Sequence, residues 1–358
     1  MNYGKRRRAL QAKQQEAGTA AFLVTSPQNV LYLSGFTGGD SWLLLMDERT
    51  VLLTDFRYRE QAEGEAPEVE VVIRNDATLA DLVAGLLPDG ARLAFEASHT
   101  SYAGYGRLAE KVGADRLHPA EGWVEELRAT KSPEEVERIR RAIAVAEEAF
   151  EETRTLIRAG VTEKQVADEL VYRLRRLGAQ VEAFPVIVAA GERASLPHAQ
   201  STDRPLRAGD PLLVDWGARV DFYNCDLTRV LFLGSIPPSI EGIYRVVLSA
   251  QQEAYEACRP GCALGEVDQA ARSFIAEAGY GEAFGHALGH GVGLEVHEKP
   301  TVRKGAEEQA RPGMVHTIEP GIYLPGVGGV RIEDMVLVGE EGAERVTNLP
   351  REMEAMVI

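Results

Sequence analysis

Along the first third of the chain, short apolar runs bounded by turn residues alternate with longer amphipathic stretches. Residues 21–24, 42–46, 51–54, 69–73 and 92–95 read as strands, and 79–87 and 102–112 as helices. The pattern then changes. Ser132, Pro133 and Glu135 form a helix start: a capping serine, proline in the first turn and a glutamate placed to bond back to the cap. The helix they open is expected to run through 137–158 and to stop at Gly160. A second helix opens in the same way at Thr162 and Gln165 and ends at Gly178. A strand-rich stretch over 186–233, a helix pair over 240–278 and a second strand-rich stretch from His286 onward complete the pattern. The expected fold class is mixed α/β, of the α+β kind. An amino-terminal α/β domain would span 1–123, and a second domain, with the order helix pair, strands, helix pair, strands, would span 124–358.

Composition narrows the function. A chain of 358 residues exceeds the usual size of one hydrophobic core, and 45% hydrophobic with 26% charged residues is an ordinary globular mixture. The formal charge is −16, and Lys5, Arg6, Arg7 and Arg8 make the one basic run, so nucleic acid is not expected as a partner. That run is followed by Ala9, Leu10, Gln11 and Ala12 rather than by a long apolar stretch, and reads as the solvated face of a first helix. No signal peptide or membrane span is expected. Three cysteines, Cys225, Cys258 and Cys262, form no disulfide framework and suit a reducing compartment, so cytoplasm is the expected location.

Two hairpin-like segments each carry a pair of carboxylates. Asp215 and Asp226 lie symmetrically about a turn near Val220 and Asp221, so a regular register would set them directly opposite on one face. Glu319 and Glu333 are equidistant from Gly326 in a loop rich in proline and glycine. Like charges so placed repel, and a cation is the natural compensation. Between the hairpins, 284–298 holds His286, His290 and His297, three of the seven histidines. His286 and His290 stand four apart, but Ala287 replaces the glutamate of the helical zinc-protease motif and Gly289, Gly291 and Gly293 disfavour a helix. A loop or strand presenting His290 fits better. Four carboxylates with one imidazole form an oxygen-rich set, which favours manganese-like ions over thiophilic ones. By strand alternation His316 and Cys225 point away from this set.

In order along the chain, the stretches around Asp215, His290, Glu319 and Glu333, together with Tyr32-Leu33-Ser34-Gly35-Phe36-Thr37-Gly38, resemble the proline-specific peptidases prolidase and aminopeptidase P. That resemblance covers nearly the whole chain. It implies a creatinase-like amino-terminal domain followed by a pita-bread catalytic domain with pseudo-two-fold duplication, and hydrolysis of the Xaa-Pro bond at the amino end of dipeptides or short peptides. It also implies two divalent metal ions per chain, Mn2+ foremost with Co2+ or Zn2+ as alternatives, and a homodimer. Asp215 would chelate one ion, His290 and Glu319 the other, and Asp226 and Glu333 would bridge them. Glu319 would act as general base and then acid. His198 and His297 match histidines that line the substrate cleft and polarise the carbonyl, and Tyr323 and His286 match further cleft positions. Arg331, two residues before Glu333, would share its side and either bind a substrate carboxylate or hold the cleft in shape. Dipeptidase is favoured over aminopeptidase P by the rather short amino-terminal domain. The competing readings are a methionine aminopeptidase-like enzyme, for which the first domain is surplus, and a non-catalytic binding protein on the same fold, which would have lost ligand positions.

Overall fold

A computed structural model describes residues 1–358. The chain forms two compact units, Met1–Arg128 and Ala129–Ile358.

The first unit is a six-stranded mixed sheet. Its strands are β1 (Ala21–Val24), β2 (Trp42–Met46), β3 (Thr50–Asp55), β4 (Glu70–Arg74), β5 (Leu93–Glu96) and β6 (Leu117–Ala120), in the order β4-β3-β2-β1-β5-β6. The β1–β2 and β2–β3 pairs are antiparallel and the other three are parallel. Helices α1 (Tyr3–Glu16), α2 (Pro27–Ser34), α3 (Arg59–Glu65), α4 (Leu79–Leu86), α5 (Tyr102–Val112) and α6 (Trp123–Arg128) surround it. Alternation sends Leu23, Leu44, Leu53 and Leu93 to the face covered by Val83 of α4 and Leu108 of α5. Each fully buried leucine contributes about 2 kcal/mol.

Helix α3 and three further elements here differ from the sequence pattern. The short helix α2 was not expected; Ser26 caps it by accepting from Asn29 N, and Gly35, at φ 86°, ends it. Strand β6 was hidden by Pro119, which has no N–H to donate and is tolerated because β6 is an edge. Helix α6 moves the domain boundary from 123/124 to 128/129. It packs into the first unit through the Trp123 ring, 5.1 Å from Phe22, the Tyr32 hydroxyl donating to Leu127 O at 3.1 Å, and Arg128 donating to Asn29 at 2.8 Å.

The second unit opens with α7 (Pro133–Arg154) and α8 (Glu163–Arg176). Both expected capping boxes form: Glu135 accepts from Ser132 N at 2.9 Å, and Gln165 from Thr162 N at 2.9 Å. Helix α7 stops at Arg154 rather than at 158, because Leu156 N turns back to Thr153 O at 2.9 Å. Strands β7 (Val181–Glu182), β8 (Ile187–Ala190), β9 (Pro211–Trp216), β10 (Ala218–Val220), β11 (Tyr223–Asn224) and β12 (Leu227–Phe232) follow, pairing as β12-β9-β8 and β11-β10-β7. The second helix pair is α9 (Pro238–Ala257) and α10 (Leu264–Glu277). The last strands are β13 (Gly289–Gly291), β14 (Glu298–Val302), β15 (Val315–Ile318), β16 (Gly321–Leu324), β17 (Gly328–Arg331), β18 (Asp334–Val338) and β19 (Ala343–Arg345), forming the sheet β14-β13-β15-β18-β19 and the ribbon β16-β17. The order helix pair, strands therefore occurs twice. Helix α7 braces β9 from behind: Phe150 stacks on Trp216 at 4.3 Å, and the Trp216 indole donates to Ala146 O at 2.9 Å.

Candidate metal centre

Asp215 is the penultimate residue of β9, and its cross-strand partner in β12 is Thr228, not Asp226. The hairpin turns on Asp221 and Phe222, both in the left-handed region (φ 46° and 69°), a two-residue turn that matches strand twist. The turn therefore lies one position further along than symmetry about the two aspartates requires. Asp226 and Asp215 remain on one face, but as diagonal neighbours. Gly217 permits the crossing, since a Cβ there would lie 2.0 Å from Cys225 O.

The second hairpin has the expected register. Gly321 pairs with Arg331 and Ile318 with Asp334, so Glu319 and Glu333 occupy equivalent places between the two pairs. Helix α9 fixes this junction: Gln251 Nε2 lies 3.2 Å from Ile318 O and 3.0 Å from Ile332 O. His290 lies on β13, whose neighbour β15 leads into Glu319.

These elements converge on a cleft of about 890 Å³ lined by Asp215, Asp226, His290, Glu319 and Glu333. His198, His286, His297 and Arg331 line it too, as does an apolar wall that includes Phe184, Pro185 and Ile187. Tyr323 is buried behind Arg331 and is not itself in the lining. All ten residues singled out in the sequence thus belong to one neighbourhood. Arg331 is fully engaged, donating to Asp215 at 2.5 Å, Thr228 at 3.1 Å, the Tyr323 hydroxyl at 2.9 Å and Pro197 O at 3.3 Å. Of its two expected roles, this geometry supports shaping the cleft. Beyond Arg331 the network runs one way. His286 Nδ1 is 2.7 Å from Ala287 O, which can only accept, so Nδ1 carries the proton and Nε2 accepts from the Tyr323 hydroxyl at 3.0 Å.

The electrostatics demand positive charge. Ligand atoms of Asp226, His290 and Glu333 all lie within 4.8 Å of one another. Two carboxylate charges at that spacing repel by about 3–4 kcal/mol at an effective dielectric of about 20. Burial and then the charge of Glu333 push Asp226 well above the usual carboxylate range, and burial and then Glu319 do the same to Glu333. Burial also raises Asp215, against the opposing charge of Arg331. Burial opposes ionisation of Glu319, but the hydrogen bond and charge of His290 outweigh it and hold this carboxyl below the usual range.

The donor set fits a hard divalent cation. Asp215 Oδ1, Asp226 Oδ1 and Glu333 Oε1 are buried and have no hydrogen-bond partner, although such atoms are seldom left unsatisfied. His290 Nδ1 donates to Gly291 O at 3.2 Å, leaving Nε2 facing Glu319 Oε1 at 3.3 Å and Asp226 Oδ2 at 3.6 Å. A neutral ring would direct a lone pair at two carboxylates, so either a proton or a metal must lie between them.

The profile described as metallopeptidase family M24 matches residues 137–340, which contain every one of these side chains, and the Creatinase/Prolidase N-terminal domain profile matches 6–130. The chain belongs to metallopeptidase family M24. It is 38% identical to the Xaa-Pro dipeptidase of Pyrococcus furiosus over 92% of this chain and 94% of that one. Among solved structures it resembles an Xaa-Pro dipeptidase from Bacillus anthracis (TM-score 0.96, 36% identity, all of both chains) and an X-Pro aminopeptidase from Thermotoga maritima (TM-score 0.89, 36% identity, 97% of this chain and all of that one).

For a metallopeptidase the supporting residues matter as much as the donors, and several of them escaped the sequence reading. Thr228 donates to Glu333 at 2.6 Å, and Thr317 donates to Glu319 at 3.1 Å while accepting from His290 N. Each stands two residues from a hairpin carboxylate, so strand alternation was the signal available for them. Gln251 had none, because its role depends on the packing of α9. His316, by contrast, is wholly buried and turned away: Nδ1 donates to Thr317 O at 2.9 Å, so Nε2 accepts from the Cys258 thiol at 3.5 Å. Cys225 is buried, with its sulfur beside Ala218 N.

Proposed function

We propose that this member of the family is an Xaa-Pro dipeptidase whose metal ions are held by Asp215, Asp226, His290, Glu319 and Glu333. The observation that carries the reading is the set of three buried, unpartnered carboxylate oxygens beside an imidazole nitrogen that faces two acids. The names of the relatives support the substrate class: two of them are Xaa-Pro dipeptidases and a third is an X-Pro aminopeptidase. Bound divalent ions would supply Lewis-acid polarisation and a water acidified to neutral pH.

The chain's own residues do the rest. Glu319, oriented by Thr317, takes the proton of the attacking water and returns it to the leaving nitrogen. His198 and His297 are exposed to the cleft and offer donors to the substrate carbonyl. Proline's scissile nitrogen carries no hydrogen, so selection rests on shape, and the apolar wall at Phe184, Pro185 and Ile187 supplies it. Manganese is the metal this oxygen-rich set favours. A homodimer and a cytoplasmic location complete the proposal. Three free cysteines suit a reducing compartment, and no helix is long and apolar enough to cross a membrane. Light scattering of the metal-loaded protein tests the dimer.

The match of residues 6–130 to the Creatinase/Prolidase N-terminal domain weighs against a methionine aminopeptidase-like enzyme, and donors at all five positions weigh against a non-catalytic binder. Turnover of Ala-Pro and Ala-Pro-Gly-Gly in manganese tests the assignment. Cleavage of the dipeptide with little of the tetrapeptide is expected. The reverse preference would make the chain an aminopeptidase P, and no cleavage of either with no manganese uptake would sink the reading.

A further inference from the structure

One buried ion pair lies outside the metal centre yet touches the loop that carries His297. Lys131 Nζ is 3.0 Å from Glu298 Oε1, and the two side chains are 1% and 2% exposed. The second carboxylate oxygen accepts from Glu295 N at 3.2 Å and so closes the turn that precedes His297. Gly293 lies against the same carboxylate, where a Cβ would be 2.4 Å from Oε1. The turn is also tied to the first hairpin, because the backbone N–H and side chain of Asn224 both donate to Gly293 O, at 2.8 and 2.9 Å. Lys131 is anchored in turn. Its backbone N–H donates to Gly313 O at 2.8 Å, and Thr130 bridges to Met314, just ahead of the strand that leads to Glu319.

The pair therefore joins three segments: the approach to Glu319, the loop of His297 and the hairpin of Asp226. His297 itself is exposed to the cleft and touches His290 edge-on, with ring centroids 4.1 Å apart. The carboxylate of the next residue is gripped at both oxygens, so His297 is tethered through its chain neighbour.

We propose that Glu298, held by Lys131, is a positioning residue that sets the place of His297 at the cleft wall relative to His290. This inference rests on the reading of the cleft as the peptide site. A charge buried without its partner destabilises a fold by itself, so the test uses both Glu298→Gln and the charge-balanced pair Lys131→Met with Glu298→Gln, each alone and combined with His297→Ala.

In manganese with Ala-Pro, either form is expected to lower kcat about tenfold with KM changed by no more than about threefold. In the His297→Ala background the same change should cost no more than about twofold, because the residue it acts through is already gone. Equal losses in both backgrounds, or parent turnover in the charge-balanced pair, overturn the proposal. A second readout is independent of turnover. The ring resonance of His297, assigned by its loss in His297→Ala, should shift in both forms while those of His99 and His118 stay in place. An unmoved His297 resonance overturns the proposal even if the parent proves inactive on proline peptides.

Discussion

Single side chains at the proposed metal centre have separable duties. Glu319 is the carboxylate held most firmly in its ionised form, so Glu319→Gln is expected to leave the protein folded by circular dichroism and to lose about 10²–10⁴-fold in kcat, measured on Ala-Pro in manganese. Thr228 carries no charge but satisfies two charged neighbours, donating to Glu333 and accepting from Arg331. Thr228→Val leaves both without that partner in a buried place. Urea unfolding should show a loss of about 1–3 kcal/mol, with metal affinity weakened about 10–100-fold. A destabilised variant with parent metal affinity would show that the hydroxyl serves the fold alone.

Among the elements, the first hairpin works through backbone approach. Gly217→Ala would drive a methyl into Cys225 O and displace the adjoining Asp226. Manganese binding should fall by about tenfold or more while the far-ultraviolet circular dichroism stays near that of the parent. Strand β15 carries a pH-sensitive group on its other side. Burial holds His316 in its neutral form, with a pKa lowered to about 4. The unfolded chain takes up this proton first, so stability present above the ordinary histidine range is lost as pH falls from about 6.5 toward 4. Between those limits His316 alone should remove about 2–3 kcal/mol. Urea midpoints at about pH 7 and pH 4.5 should therefore separate less in His316→Gln than in the parent.

For the whole molecule, metal and protons compete for the same acids. Without metal, the folded chain holds protons on Asp226 and Glu333 more tightly than the unfolded chain does. Stability of the metal-free form should thus decline as pH rises from the ordinary carboxylate range toward their raised values. Cations relieve that penalty, and they also stabilise by mass action, by about 2.7 kcal/mol at a hundred times the dissociation constant. The melting temperature gap between manganese-loaded and chelator-treated protein should be wider near pH 8 than near pH 5.5. A gap that shrinks as pH rises would mean that these acids do not hold the metal.

What the sequence determined by itself was local. Short apolar runs bounded by turn residues located β1 and β2, the capping residues located the starts of α7 and α8, and the symmetry of Glu319 and Glu333 about Gly326 set the second hairpin's register. These follow from short-range rules of period, capping and turn. It also marked the four acids and the histidine that the fold gathers in one cleft, because acids paired across two hairpins, with a histidine between them in the chain, repel one another unless a cation joins them. The tertiary structure decided what depends on contact between distant segments. Asp221 and Phe222 took the turn and made Asp215 and Asp226 diagonal, helix α6 joined the first unit, and Arg331 spent its donors on Asp215, Thr228, Tyr323 and Pro197. Lys131 and Glu298 met across more than half the second unit's length. Pairing of this kind is set by burial and geometry in three dimensions, and no periodicity along the chain records it.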